Sequence, residues 1–221
     1  KIMNKTETLQ FITNQWSKTS IPEQVTQVCQ GGCSWVQLRL KDTSPAEWIE
    51  IGQEVKTICK NYGAKLIIND HVEFAFRADA DGVHLGKEDM DPEKARQILG
   101  PDKIIGGTAN TFEDIEQLYL KGVDYAGLGP YKSTSTKQKL APLLGISGYQ
   151  HIMQRMNAND LDLPIFAIGG ITPEDIPQIF TTGITGIVIS SYLSNSKKIN
   201  ETTEKIIRTI NETANYVNTR Q

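Results

Sequence analysis

The segment WVQLRLKD, Trp35 to Asp42, sets Arg39 and Lys41 two residues apart within an aliphatic alternation, and farther along two apolar runs lead straight into acid. Leu66-Ile67-Ile68 runs into Asn69-Asp70, and Val83-His84-Leu85 runs into Glu88-Asp89. Side chains alternate across a strand, so Trp35, Gln37, Arg39 and Lys41 share one face while Val36, Leu38 and Leu40 share the other. If the aliphatic face lies under helices, the cations point inward. An isolated charge removed from water is very costly, so these two either pair with interior carboxylates as a structural network or form an anion site at a strand end. The anion site is the favoured reading.

Asp70 and Asp89 follow successive strand-like runs. Neighbouring strands lie about 4.8 Å apart, so two loops leaving the same end bring their carboxylates together. Such a pair repels itself, and a divalent cation between the two removes that penalty. Hard Mg2+ is held by one or two carboxylates together with substrate phosphate oxygens. Either aspartate alone serves equally well as a helix N-cap. The pair on adjacent strands favours the metal. Arg39, Lys41 and, on a later loop, Lys137 would complement a bridged Mg2+ in neutralising a diphosphate, as phosphoryl clamps do.

A second anion site is expected near the end of the chain. AIGGIT, Ala167 to Thr172, and IVISS, Ile187 to Ser191, close the last two strand-like runs. In a barrel the loops after strands seven and eight commonly bind phosphate through free backbone N–H groups. Gly170, Ser190 and Ser191 are the candidates; a glycine turn followed by a helix cap is the alternative. GGTANT, Gly106 to Thr111, pairs glycines that permit close backbone approach or a turn with a hydroxyl at Thr108. STSTK, Ser133 to Lys137, reads equally as a ligand-binding loop or a solvated one. His71, His84 and His151 show no ligand spacing; His84 is expected as a hydrogen-bonded interior residue without a further role. Trp16, Trp48 and Tyr192 are expected to pack.

The elements that must position these residues alternate regularly. Strand-like runs recur near Leu9, Trp35, Lys65, Gly82, Lys103, Tyr125, Pro164 and Gly186. Segments of helical spacing lie between them, among them Pro45 to Asn61, Asp91 to Leu99, Thr111 to Lys121 and Pro173 to Thr182. Ser44-Pro45 and Thr172-Pro173 each supply a capping hydroxyl, a first-turn proline and nearby acid. Eight such units without a linker predict a single α/β domain over residues 1–221, a (β/α)8 TIM barrel, in preference to a doubly wound sheet. One connection, residues 129–147, has no periodicity and is expected to be an active-site loop. Asn195 to Gln221, with Ile206, Ile207 and Ile210 in a stripe, is expected to close the barrel as a helix.

Composition narrows the partners. A formal charge of -3, with 38% hydrophobic and 22% charged residues, argues against a nucleic-acid surface and for small-molecule chemistry. Cys29, Cys33 and Cys59 lack the spacing of a zinc site or a disulfide framework. No apolar run approaches the roughly 18 residues that span a bilayer, and no signal pattern opens the chain. A cytoplasmic protein without membrane or nucleic-acid partners is expected; a homo-oligomer is left open.

Taken in order, QLRLK, Ile68-Asn69-Asp70, GVHLGKEDM, IIGGTANT, DYAGLGPYKSTSTK and FAIGGI resemble the motifs of the thiamine phosphate synthase family, over Gln37 to Ser191. The resemblance implies a transferase that joins hydroxymethylpyrimidine diphosphate to thiazole phosphate with Mg2+, releasing diphosphate. It further implies that Gln37, Arg39, Lys41, Asn69, Thr108 and Lys137 hold the pyrimidine diphosphate and that Asp70 and Asp89 bind Mg2+. By the same token Thr134, Ser135 and Thr136, with Gly170, Ser190 and Ser191, hold the thiazole phosphate. The implied route is dissociative and needs no protein nucleophile. Three segments depart from the family pattern: Thr108 and Asn110 stand where serine and histidine are frequent, Leu40 where glutamate is common, and Lys132-Ser133 where proline is frequent. A thiazole tautomerase-like isomerase on the same barrel and a non-catalytic phosphate-ligand sensor are the rivals. Retention of Arg39, Lys41, Asn69, Asp70, Asp89 and Lys137 speaks against the isomerase.

Overall fold

All eight apolar runs become strands, and every pairing between them is parallel. The computed structural model describes residues 7–133 and 142–218. The strands are β1 (Leu9–Ile12), β2 (Trp35–Leu38), β3 (Lys65–Asn69), β4 (Gly82–Leu85), β5 (Ile104–Ala109), β6 (Tyr125–Leu128), β7 (Ile165–Ile168) and β8 (Gly186–Ile189). Each pairs with the next, and β8 returns to β1 with Ile187 opposite Leu9, closing the barrel. Helices α1 (Ile21–Gln30), α2 (Pro45–Tyr62), α3 (Val72–Arg77), α4 (Pro92–Leu99), α5 (Phe112–Leu120), α6 (Gly145–Ala158), α7 (Ile176–Phe180) and α8 (Ser191–Ser194) form the outer ring. The closing helix is α9 (Ile199–Asn218). Among the described residues, no helix is long and apolar enough to cross a membrane.

Local chemistry sets the helix boundaries. The Ser44 hydroxyl accepts from Glu47 N, Pro45 occupies the first turn of α2, and Gly63, in the left-handed region at φ 67, ends it. Asp91 accepts from Glu93 N and so caps α4 rather than joining it. Thr111 and Asp114 form a reciprocal capping box on α5. The segment expected as one helix from Pro173 to Thr182 divides instead into a 3-10 turn, Pro173–Asp175, and α7. Pro177 lacks the N–H that would have continued the ladder across that junction. The end of the long connection, from Gly145, already belongs to α6; residues 134–141 lie outside the described residues.

Two apolar layers follow from the alternation. Val36, Leu38, Leu66, Ile68, Val83 and Ile105 point outward into one cluster with the helices. Ile12, Trp35, Ile67, Ile104, Tyr125, Phe166 and Val188 fill the barrel interior. Large and small residues interlock there. A Cβ on Gly106 would stand 2.2 Å from the Tyr125 ring, and one on Gly107 would stand 2.4 Å from Leu118. The GGTANT glycines therefore lie inside β5 and make room for an aromatic ring on one face and a helix on the other; they form no turn. Ile206 and Ile210 of α9 are buried, and burying a side chain of that size contributes about 1.5–3 kcal/mol each.

Gly106→Ala tests the interior packing. The extra methyl must displace Tyr125, and overpacking of this kind costs about 1–3 kcal/mol. A lower midpoint of urea denaturation is expected; an unchanged one would show that the Tyr125 ring is not confined as described.

Candidate active site

The C-terminal strand ends meet at one rim, where chain geometry rather than strand ladder holds the two cations. β2 stops at Leu38, short of the Leu40 that the alternation suggested. Arg39 N donates to the Thr13 hydroxyl at 2.9 Å, and that hydroxyl donates to Arg39 O at 3.3 Å. Two residues on, the Gln15 side chain accepts from Lys41 N at 2.5 Å and donates to Lys41 O at 2.7 Å. These side chains replace the missing backbone ladder. The alternation survives past the strand end, since Leu40 is buried in the helix-facing cluster.

Lys41 Nζ lies 2.5 Å from Asp70 Oδ2, and Asn69 Nδ2 donates to Asp70 Oδ1 at 2.5 Å. Asp70 sits in the left-handed region at φ 66, which aspartate tolerates better than most residues. Its N–H donates to His84 O, carrying the β3–β4 pairing one residue further. Asp89 Oδ2 accepts from Gly86 N at 2.6 Å, and the carboxyl groups of Asp70 and Asp89 lie near enough for each to shift the other's titration. Neither caps a helix: α3 begins after His71, and α4 is capped by Asp91. Burial would push the Asp70 carboxyl up, but the hydrogen bonds from Lys41 and with Asp89 outweigh it and hold Asp70 below its ordinary value. Asp89 goes the other way, raised first by burial and then by its contact with Asp70. Burial acts on both acids, and the Lys41 hydrogen bond on Asp70 is what drives the neighbouring pair apart. Burial disfavours the charge on Arg39, and Asp70 partly restores it.

A buried string of polar side chains runs across the interior beneath this rim. Gln37 Nε2 donates to Gln10 Oε1 at 2.8 Å, and Gln10 Nε2 donates to Tyr125 Oη at 3.2 Å. Tyr125 Oη meets His84 Nδ1 at 3.0 Å, and His84 Nε2 meets Thr108 Oγ1 at 3.0 Å. His84 thus links Gln37 to Thr108. Its inward strand position, two residues after Gly82, was the one sequence signal for this. Gln37 is only 1% exposed.

A cavity of about 730 Å3 opens at the rim, within the usual size of small-molecule sites. Arg39 and Thr108 of the first expected anion site line it together with Gly170, Ser190 and Ser191 of the second. Gln37, Lys41, Asn69 and Asp70 do not line it. Asp89 borders an adjoining pocket of about 300 Å3, and Lys87, which the sequence did not single out, borders both and pairs with Asp114 at 2.6 Å. Thr134, Ser135, Thr136 and Lys137 lie outside the described residues.

Gly169 and Gly170 have φ 103 and 67. A Cβ on Gly170 would stand 2.7 Å from Ser133 O, so glycine here lets the β6 loop pass close by. That loop is fastened by Tyr131 N to Ile168 O, by Lys132 N to Gly169 O, and by a 2.5 Å ion pair between Lys132 and Asp175. Asn110 Nδ2 donates to Gly129 O at 2.5 Å on its other side. Two aromatic residues expected to pack do not: Trp16 and Tyr192 are exposed and line the cavity, because the β1 loop and the first turn of α8 set them on the rim. Trp48 is buried, stacked on Phe74 with ring centroids 4.3 Å apart.

The acid pair can be observed directly. In 13C carboxylate NMR of the metal-free protein, Asp89 should titrate above the ordinary aspartate range and Asp70 below it. Lys41→Met should move the Asp70 transition upward. Two independent transitions at ordinary values would contradict the contact.

The sequence model of the family described as "Thiamine monophosphate synthase" matches residues 9–193. A thiamine-phosphate synthase of Bacteroides fragilis (strain YCH46) is 47% identical over 199 residues, covering 90% of this chain and 98% of that protein. A thiamine-phosphate synthase of Pyrococcus horikoshii is 35% identical over 204 residues, covering 92% and 95%. A solved thiamine phosphate pyrophosphorylase from Pyrococcus furiosus superposes with a TM-score of 0.84 at 30% identity, covering 95% of this chain and 98% of that one.

Proposed function

The chain belongs to the thiamine monophosphate synthase family and catalyses thiamine phosphate formation, and we propose that its rim divides the work between two anion sites. Arg39, Lys41, Asn69 and Thr108, with Lys137, hold hydroxymethylpyrimidine diphosphate. Gly170, Ser190 and Ser191, with Thr134, Ser135 and Thr136, hold the thiazole phosphate. Gln37 acts from below through its amide string rather than from the cavity wall. The observation that carries this reading is the meeting of Arg39, Lys41, Asp70 and Asp89 at the same rim as Thr108.

The donor set fits Mg2+. Two neighbouring carboxylates, one raised by burial and then by the other, are the arrangement that a hard divalent cation relieves. Asp70 and Asp89 would hold the ion, and among the described residues no cluster of three or more acid, histidine or cysteine side chains competes with them. The remaining ligands would be water and phosphate oxygens. Bound there, the ion neutralises the negative charge that builds on the leaving diphosphate.

The protein's own share is positional and electrostatic. Diphosphate leaves first, the pyrimidine-stabilised cation forms, and the thiazole nitrogen attacks it. Arg39 and Lys41 stabilise the departing charge, and both are fixed at the backbone before substrate arrives. Enclosing the two substrates in one cavity keeps the thiazole nitrogen near the reacting carbon and water away from it. The three cysteines are buried and free, which suits a reducing cytoplasm.

A coupling assay with both substrates, with and without Mg2+, checks the assignment. Thiamine phosphate should form only with the metal. Asp89→Ala should abolish the Mg2+-dependent turnover, and Lys137→Ala should weaken the pyrimidine diphosphate more than the thiazole phosphate. Unchanged steady-state kinetics in either variant would contradict the roles given, and binding of both substrates without product would support the sensor instead.

A further inference from the structure

The four residues Thr13-Asn14-Gln15-Trp16 leave β1 and do three separate things. Thr13 and Gln15 clamp the backbone of Arg39 and of Lys41, each through both the N–H and the carbonyl. Asn14, buried between them, fixes the loop to its surroundings: its backbone exchanges hydrogen bonds with the Gln24 side chain, and its own Nδ2 donates to Ser194 Oγ at 3.1 Å. Asn14 Oδ1 also accepts from Trp16 N at 3.2 Å. Trp16 is therefore held at the backbone although its side chain is 59% exposed. Its ring lines the mouth of the cavity. The indole lies under the Arg39 guanidinium, 5.6 Å from ring centroid to Cζ.

We propose that Trp16 is a positioning residue for the anion site: its ring face orients the Arg39 guanidinium toward the diphosphate of the substrate. The inference rests on the diphosphate role given to Arg39 above. A guanidinium has a long stem and several rotamers, and only its backbone is fixed by Thr13. A ring face supplies the missing constraint, because cations favour the negative face of an indole and a planar guanidinium stacks on it. A guanidinium held over a ring face keeps its in-plane N–H donors available for bidentate contact with phosphate oxygens. No family motif in this sequence includes Trp16, and its residue type gave no hint of the role.

The test uses the full chain and three variants: Trp16→Leu, which keeps apolar bulk without a ring face, Trp16→Phe, which keeps a face, and Arg39→Ala. Inorganic diphosphate, with Mg2+ present, is the binding probe, and the Michaelis constant for each substrate is measured separately. Trp16→Leu should weaken diphosphate binding and raise the pyrimidine diphosphate constant about 3- to 10-fold, the range expected for one cation–π contact, with the thiazole phosphate constant unchanged. Trp16→Phe should recover most of the loss. The double variant Trp16→Leu/Arg39→Ala should bind no more weakly than Arg39→Ala alone, since the indole acts only through the guanidinium. Trp35 and Trp48 are buried, so diphosphate-dependent fluorescence quenching should vanish in Trp16→Phe.

Additive losses in the double variant, or equal effects on both substrates, would make Trp16 a wall of the cavity and overturn the inference. If Arg39→Ala weakens diphosphate binding while Trp16→Leu does not, the inference falls and the diphosphate site stands. If Arg39→Ala changes nothing, both fall.

Discussion

Two carboxylates in contact at the edge of a closed barrel are the constraint around which the rest of the rim is arranged. Asp70 and Asp89 repel each other if both are ionised, and burial deepens the penalty. The protein answers on one side only. Lys41 and Asn69 both bind Asp70, which fixes it as the ionised partner and leaves Asp89 as the member that takes up the strain. A divalent cation between two such carboxylates would remove that penalty. The cost is tolerable because the barrel beneath is rigid and every strand is paired on both sides.

That rigidity is itself a consequence of packing inside the barrel. Tyr125 fills the space that Gly106 leaves, and its hydroxyl is one station in the string from Gln37 through His84 to Thr108. An interior that is apolar at Trp35 and Phe166 and polar along this string has few ways to rearrange. The hydroxyl of Thr108 thereby reaches the cavity wall in one orientation. Asn110, in a position where the family often has histidine, serves as a strut to Gly129 and so couples the β5 loop to the β6 loop. Lys132, where proline is frequent, fastens the β6 loop to Asp175. Both departures from the family pattern are structural ties between neighbouring loops.

The cations sit where regular structure has already ended. A strand would have fixed Arg39 and Lys41 through its ladder, but it would also have held them in the barrel wall. Ending β2 at Leu38 and continuing the pairing with the Thr13 and Gln15 side chains lifts both residues onto the rim while keeping their backbone fixed. Positioning of this kind matters most for a reaction in which the protein offers charge and orientation instead of a nucleophile.

Much of this was legible in the sequence. Eight apolar runs of period two, separated by capped amphipathic segments, determine a barrel because parallel strands need crossover helices and eight of them close without an edge. The same alternation put Leu40 outside and the cations inside, and the spacing of Asp70 and Asp89 after neighbouring strands set them side by side. What the sequence could not determine is whatever depends on contacts between residues distant along the chain. Gly106 and Gly107 read equally as close backbone approach or a turn until Tyr125 and Leu118 are seen to occupy the space they free. Trp16 and Tyr192 read as packing residues because hydrophobicity carries no information about which way a loop faces. His84 read as a hydrogen-bonded interior residue, and it is one, but its partners Tyr125 and Thr108 are brought to it only by closure of the barrel. Periodicity is a local property and survives in one dimension; a side chain's neighbours across the barrel exist only after folding.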